Sequence, residues 1–151
     1  MSARRPILPP TYLLGSLVLM VLLWQFVPGP HLIVFPWNLV GLLPTLIGMT
    51  LNVVGDRQFH RAKTTMNPFG QPHELVTTGV FRYSRHPMYL GLVLIVLGTA
   101  TLLGYATPLA APAMLWALLH YRFIPHEERT MSERFAERYG RYVNRGPRRW
   151  V

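Results

Sequence analysis

Cysteine is absent from the whole chain. That excludes a disulfide framework and a thiolate nucleophile. Acids are scarce as well: six Asp and Glu stand against fifteen Lys and Arg, giving a formal net charge of +9. No Gly-x-Gly-x-x-Gly or P-loop pattern follows a strand-like run, which excludes a soluble dinucleotide-type domain. The six histidines (His31, His60, His73, His86, His120 and His126) show no His-x-x-x-His or similar ligand spacing. No metal site is therefore expected. Internal repeats and low-complexity tracts are missing too.

The absence that decides the class is that of charge. Neither sign occurs from Pro6 to Gly55, nor from Pro87 to Tyr121. Only 14% of the residues are charged, against about 25% in an ordinary soluble domain. A membrane span needs about 20 mostly apolar residues, so the first run accommodates two spans and the second two short ones. The expected fold is all-α: a single-domain integral membrane bundle over 1–151, with four transmembrane helices and an amphipathic cytoplasmic helix after them. The spans are expected at 11–27, 37–54, 87–103 and 105–124, a polar loop at 56–86, and the last helix at 126–143.

What basic charge there is lies in three places: Arg4 and Arg5, the Arg57–Arg85 segment, and Arg122 to Arg149. The connections at Pro28–Pro30 and around Gly104 carry none. Four spans put every Lys and Arg on one side, so both termini and the 56–86 loop are expected in the cytoplasm. This layout points to a lipid bilayer as partner rather than to nucleic acid. Arg4-Arg5 and the apolar run after them resemble a signal peptide. Trp24-Gln25-Phe26-Val27-Pro28 offers no small-residue cleavage site, so the run is expected to stay attached as a span.

Proline and glycine punctuate the chain. Pro28-Gly29-Pro30 ends the first span, and Pro36 suits the start of the second. Pro44 should kink the second span, and Pro108 and Pro112 should bend the fourth. Asp56 to Lys63 reads as a polar continuation of the second span, and Thr64 to Pro72 as a loop. Gly91 and Gly98, and the Ala106, Ala110, Ala113 and Ala117 series, have the spacing of close hairpin packing. Pro125 marks a break before the last helix. There Met131, Phe135, Tyr139 and Tyr142 recur on one face, able to lie on the membrane or to close over a cytoplasmic pocket. Glu127 and Glu128 fall in its first turn, where the helix dipole favours acids whether or not a ligand binds them.

The polar residues concentrate from Thr77 to Gly91. Arg82, Arg85 and His86 stand directly before Pro87, which is pre-set for the first position of a helix. A helix N-terminus attracts carboxylates and phosphates. With Tyr83 and Tyr89 these residues could line a pocket for a small polar cofactor; equally, the arginines could be topological anchors.

Arg85-His86-Pro87-Met88-Tyr89-Leu90-Gly91 resembles the isoprenylcysteine carboxyl methyltransferase family in its short membrane form. The related phospholipid N-methyltransferases share the Arg-His-Pro-x-Tyr core. His73-Glu74-Leu75-Val76-Thr77-Thr78-Gly79-Val80-Phe81, Glu127-Glu128, Phe135, Tyr139, Tyr142 and Arg148-Arg149-Trp150 extend the resemblance over about Asp56 to Val151. It implies S-adenosylmethionine as methyl donor. His73, Glu74, Leu75, Val76, Phe81 (in a position usually tyrosine), His86, Pro87, Met88 and Tyr89 would line it, with Glu128 beside it; by their own chemistry Arg85 suits its carboxylate and Tyr139 and Tyr142 its adenine. Glu127 would lie near the transferred methyl or the acceptor. Arg122 stands one residue before the place of the eukaryotic enzyme's arginine, which is Phe123 here, and Ala136 replaces a usual glycine. Tyr83, Tyr89, Tyr139 and Tyr142 are candidates to stack on adenine. The implied reaction is methyl transfer to a lipophilic small-molecule or lipidated acceptor, at a carboxylate or thiol. The alternatives are phospholipid amine N-methylation and a non-catalytic lipid-binding scaffold.

Overall fold

The protein is described by a computed structural model over residues 9–64, 73–146 and 149–150. It is an all-helical bundle. Its helices are α1 (Pro9–Phe26), α2 (Leu42–Arg61), α3 (Pro87–Leu103), α4 (Ala110–Leu118) and α5 (Ile124–Asn144). Short 3-10 turns at Trp37–Gly41, Gly79–Arg82 and Thr107–Leu109 lead into or join them, and a π-helical turn, Leu119–Phe123, links α4 to α5. No strand occurs among the described residues, only an isolated antiparallel bridge between His31 and Tyr105. The expected Arg4-Arg5 anchor and nearly all of the 64–72 loop lie outside the described residues.

The core runs along α3 and α4. Val96, Ala100, Ala111, Leu115 and Leu119 are fully buried there, joined by Met20 from α1. Helices α2 and α3 make the most extensive pair, and glycine is the reason. A Cβ on Gly48 would sit 2.4 Å from the Gly91 carbonyl, and one on Gly98 would sit 2.4 Å from the Gly41 carbonyl. Small residues let two backbones approach in this way. Gly91 and Gly98 therefore face α2, not the α4 hairpin partner expected from their spacing. Ala110 and Ala113 are exposed, and α4 buries Ala111, Pro112 and Leu115 instead.

The prolines also behave differently from expectation. Pro44 and Pro112 fall in the first turns of α2 and α4, and Pro108 lies in the 3-10 turn ahead of α4. First-turn N–H groups have no intrahelical partner to lose, so none of the three kinks a helix interior. Pro125 does not break the chain. The helical path runs on from Ala110 to Asn144, passing through the π-helical turn, where the Ile124 N–H donates to the Leu119 carbonyl five residues back. A regular turn would press the Pro125 ring against the Tyr121 carbonyl; the wider turn opens that space. The last helix thus spans 124–144 rather than 126–143, and it is interrupted at Ala136, whose φ is 36° and ψ −111°.

The ends of the bundle differ. The two uncharged connections meet at one end, where Leu32 N–H donates to the Gly104 carbonyl and Ala106 N–H to the Pro30 carbonyl. At the other end α2 extends as a polar helix to Arg61, as expected, beside the start of α3 and the turn before it. Among the described residues one helix, Trp37–Arg61, is long and apolar enough to cross a membrane, and Pro10–Phe26 and Pro87–Leu103 are shorter apolar helices.

Candidate functional site

The polar end of the bundle is built around the start of α3. Pro87 is the first residue of that helix and His86 its N-cap. The His86 backbone N–H donates to Ser84 Oγ at 3.2 Å, and the His86 ring stacks on Tyr89, with centroids 5.6 Å apart. Just before it, the turn Gly79–Arg82 docks on the end of α2. Gly79 has a φ of +61°, and any Cβ there would collide with the Gln58 side chain. That close seat carries Phe81 inward, against Phe59 at 5.2 Å edge-to-face. The Tyr142 hydroxyl from α5 donates to the Phe81 carbonyl at 2.5 Å, so α5 is tied down over the same spot.

Two adjoining cavities lie under α5. One lies between Glu74, Leu75 and Val76 on one side and Met131, Tyr139 and Tyr142 on the other. The other is bounded by Pro87, Met88 and Tyr89. Phe59, Phe81, Arg85, His86 and Glu127 line both.

Charge is concentrated at the shared wall. His86 Nδ1 lies 3.6 Å from Glu127 Oε2, and its Nε2 3.5 Å from Glu128 Oε1. Arg85 Nη1 reaches Glu128 Oε1 at 3.0 Å. Arg149 contacts the same carboxylate through Nε at 3.2 Å and Nη2 at 2.5 Å. Burial alone would lower the His86 pKa, but Glu127 and then Glu128 outweigh it, and the imidazole titrates above its ordinary 6.5. Burial alone would raise Glu128; contacts with His86, Arg149 and Arg85 overcome it and hold the carboxyl down at about 2. Burial pushes the Tyr139 and Tyr142 phenols up, so both remain neutral donors. Arg85 Nε and His86 Nε2 are buried without a hydrogen-bond partner. Such an arrangement of cations, carboxylates and aromatic rings can hold a zwitterion with a flat ring system.

The comparisons with known proteins bear on the family. The family model described as phospholipid methyltransferase matches residues 37–138. The chain belongs to that family. Its similarity to curated proteins is to isoprenylcysteine methyltransferases, as the resemblance in the sequence implied. It is 37% identical over 79 residues to protein-S-isoprenylcysteine O-methyltransferase B of Arabidopsis thaliana, covering 50% of this chain and 38% of that one. Against the Schizosaccharomyces pombe protein-S-isoprenylcysteine O-methyltransferase it is 37% identical over 76 residues, covering 50% and 32%. Against the Saccharomyces cerevisiae protein of that name it is 33% identical over 130 residues, covering 77% and 52%. The chain thus spans about a third to a half of the length of these relatives. No solved structure matches it.

Of the residues singled out in the sequence, Glu74, Leu75, Val76, Phe81, Arg85, His86, Pro87, Met88, Tyr89, Glu127, Tyr139 and Tyr142 come together around the two cavities. Glu128 joins them through the ion cluster. The expected inner face of α5 is also the less exposed one at Met131, Phe135, Tyr139 and Tyr142. Three residues stand apart. His73 is exposed, its backbone N–H donating to Thr64 Oγ1. Arg122 is exposed on the π-helical turn, outside both cavity linings. Tyr83 is 74% exposed and faces away from any stacking position in these cavities. Sequence reasoning missed Phe59 and the ion pair of Arg149. A signal for Phe59 existed: it lies one turn beyond Gly55, on the face that Gly48 and Gly55 present to α3.

Proposed function

We propose that the chain is an S-adenosylmethionine-dependent methyltransferase acting on a lipophilic acceptor, of the prenyl-thioether carboxylate kind, at the cytoplasmic face of a membrane. The observation that carries this reading is the shared wall of the two cavities. Its buried Arg85 Nε lacks a hydrogen-bond partner, and His86 stands between the two carboxylates of Glu127 and Glu128. The donor set fits the cofactor. Arg85 and the start of α3 suit its carboxylate. Glu127 and Glu128 suit its cationic groups or ribose hydroxyls. Phe59, Phe81, Tyr139 and Tyr142 offer aromatic and apolar surface to adenine. When bound, S-adenosylmethionine supplies an electrophilic methyl carbon for in-line displacement. The residues of this chain align the partners and exclude water, which such a reaction needs more than a strong base. Glu127, lining both cavities, is the residue proposed to face the acceptor, and Arg122 on the π-helical turn is proposed to pair with an acidic acceptor group. The relatives' names, all O-methyltransferases of an isoprenylcysteine, favour an oxygen acceptor over an amine.

The proposed setting is a four-span bundle with α1, α2, α3 and the α4 segment in the bilayer and the charged end in the cytoplasm. In favour of it, the apolar window of Trp37–Arg61 is only 17% buried, whereas the core helix of a soluble protein is mostly buried. On α1 Leu14, Val18 and Val21 are likewise exposed, as lipid-facing positions are. The uncharged connections share one end and the positive-inside pattern assigns the other to the cytoplasm.

The reading is tested by calorimetry of S-adenosylmethionine binding to the purified protein. His86→Ala, Tyr89→Ala and Glu128→Gln should each weaken it about ten- to hundredfold, since a hydrogen bond to a charged group contributes about 1.5–3 kcal/mol. Wild-type affinity in all three variants would overturn the assignment.

A further inference from the structure

We infer that Arg149 and Trp150 form a clamp that positions the Glu128 carboxylate for the cofactor by tying α5 to α4 across the π-helical turn. The inference rests on the methyltransferase reading above and adds two positioning residues to it. Glu128 Oε1 is shared by Arg85 at 3.0 Å, His86 at 3.5 Å and Arg149 Nε at 3.2 Å, while Oε2 is reached by Arg149 Nη2 at 2.5 Å. Among these cations Arg149 alone grips both oxygens. A fork-to-fork contact of that kind fixes the plane of a carboxylate, which a single-point contact does not. Arg85 alone would leave Glu128 free to swing about one oxygen.

A guanidinium that is itself loose fixes nothing, and Arg149 is partly exposed. Its neighbour supplies the anchor. Trp150 Nε1–H donates to His120 Nδ1 at 3.0 Å. The indole lies 6.2 Å from the His120 ring and 6.0 Å from Trp116, and His120 is in turn stacked on Trp116 at 4.9 Å. Trp116 belongs to α4, His120 to the π-helical turn and Glu128 to the beginning of α5. Two consecutive residues therefore bridge both sides of the π-helical joint between α4 and α5. The π-helical turn is a single i→i+5 turn between two α-helices, and the angle between α4 and α5 is the degree of freedom the clamp removes. Loss of the clamp should reach the cofactor only through Glu128.

The test is a double-mutant cycle read as the dissociation constant of S-adenosylmethionine for the full chain in detergent. Arg149→Gln should weaken binding about tenfold, and Arg149→Lys, which keeps the charge and loses the fork, should restore only part of it. Trp150→Phe keeps an aromatic ring and removes the N–H; it should weaken binding a few-fold, about the loss of one neutral hydrogen bond. In a Glu128→Gln background both Arg149→Gln and Trp150→Phe should have no further effect. Unchanged affinity in Arg149→Gln, or the same fold-loss with and without the Glu128 carboxylate, would overturn the clamp while leaving the cofactor site standing. Absence of binding to the wild type would instead overturn the methyltransferase reading and the clamp with it.

Discussion

At His86 the proton and the fold support one another. The imidazole titrates above 6.5 in the folded chain because of the two carboxylates beside it. A pKa raised on folding contributes stability that is complete below the unfolded value and is lost as pH rises through the folded one. Glu128 has the opposite sign: its pKa falls from 4.5 to about 2, so its contribution is present above 4.5 and fades as pH drops towards 2. Both contributions coexist between those limits. Thermal unfolding in detergent should therefore show wild-type stability falling as pH rises above about 6.5, with the slope reduced in His86→Gln. Parallel slopes would remove His86 from the account. A second residue prediction concerns Tyr142. Phenylalanine there leaves the buried Phe81 carbonyl without its donor, at a cost of about 1–3 kcal/mol. An unchanged unfolding midpoint for Tyr142→Phe would show that α5 is held by other contacts.

Among the helices, the interface of α2 and α3 sets the sharpest expectation. Alanine at Gly48 would place its Cβ 2.4 Å from the Gly91 carbonyl and 2.9 Å from the Ile95 side chain. Backbone cannot give way there without separating the helices, so Gly48→Ala should destabilise by about 1–3 kcal/mol. Gly140 offers the contrast: nothing lies within 4 Å of its would-be Cβ, and alanine should stabilise α5 by about 0.5–1 kcal/mol. Equal effects at the two positions, measured by denaturant unfolding, would contradict the packing described. These glycines also show how far the sequence could be read. The seven-residue spacing of Gly91 and Gly98 marks a close-packed face, but periodicity names positions and not partners, so the neighbour was mistaken for α4. Apolar length and Pro87 with Gly104 delimited α3 to the residue, because its cap signals are local. The π-helical turn was not legible: Pro125 reads as a break, and only the widened turn before it lets the helix continue. The pocket was legible in its motif residues, which are chain neighbours ahead of and at the start of α3 or recur on one face of α5. Phe59 and Arg149 reach it from α2 and from beyond α5, and such long-range contacts leave little local trace.

For the molecule as a whole, the proposed orientation follows from where charge is missing. Since the chain has no cysteine, single cysteines report cleanly. Gly104 is unsuitable, as its φ is +76° and a Cβ would lie 2.2 Å from the Ile33 carbonyl. Leu32 and Asn144 are both exposed. In intact cells Leu32→Cys should react with an impermeant maleimide and Asn144→Cys only after permeabilisation; the reverse pattern would invert the bundle. The account as a whole stands on methyl transfer at the wall of Arg85, His86, Glu127 and Glu128. The most direct measurement is incorporation of labelled methyl from S-adenosylmethionine by the protein in proteoliposomes. The acceptor is a farnesylated N-acylcysteine with a free carboxylate, compared with the same molecule lacking the farnesyl chain. The account predicts a labelled methyl ester on the farnesylated acceptor, little on the tail-less one, and loss of the signal in Glu128→Gln. No methyl ester from the wild type, or equal turnover of the tail-less acceptor, would contradict it.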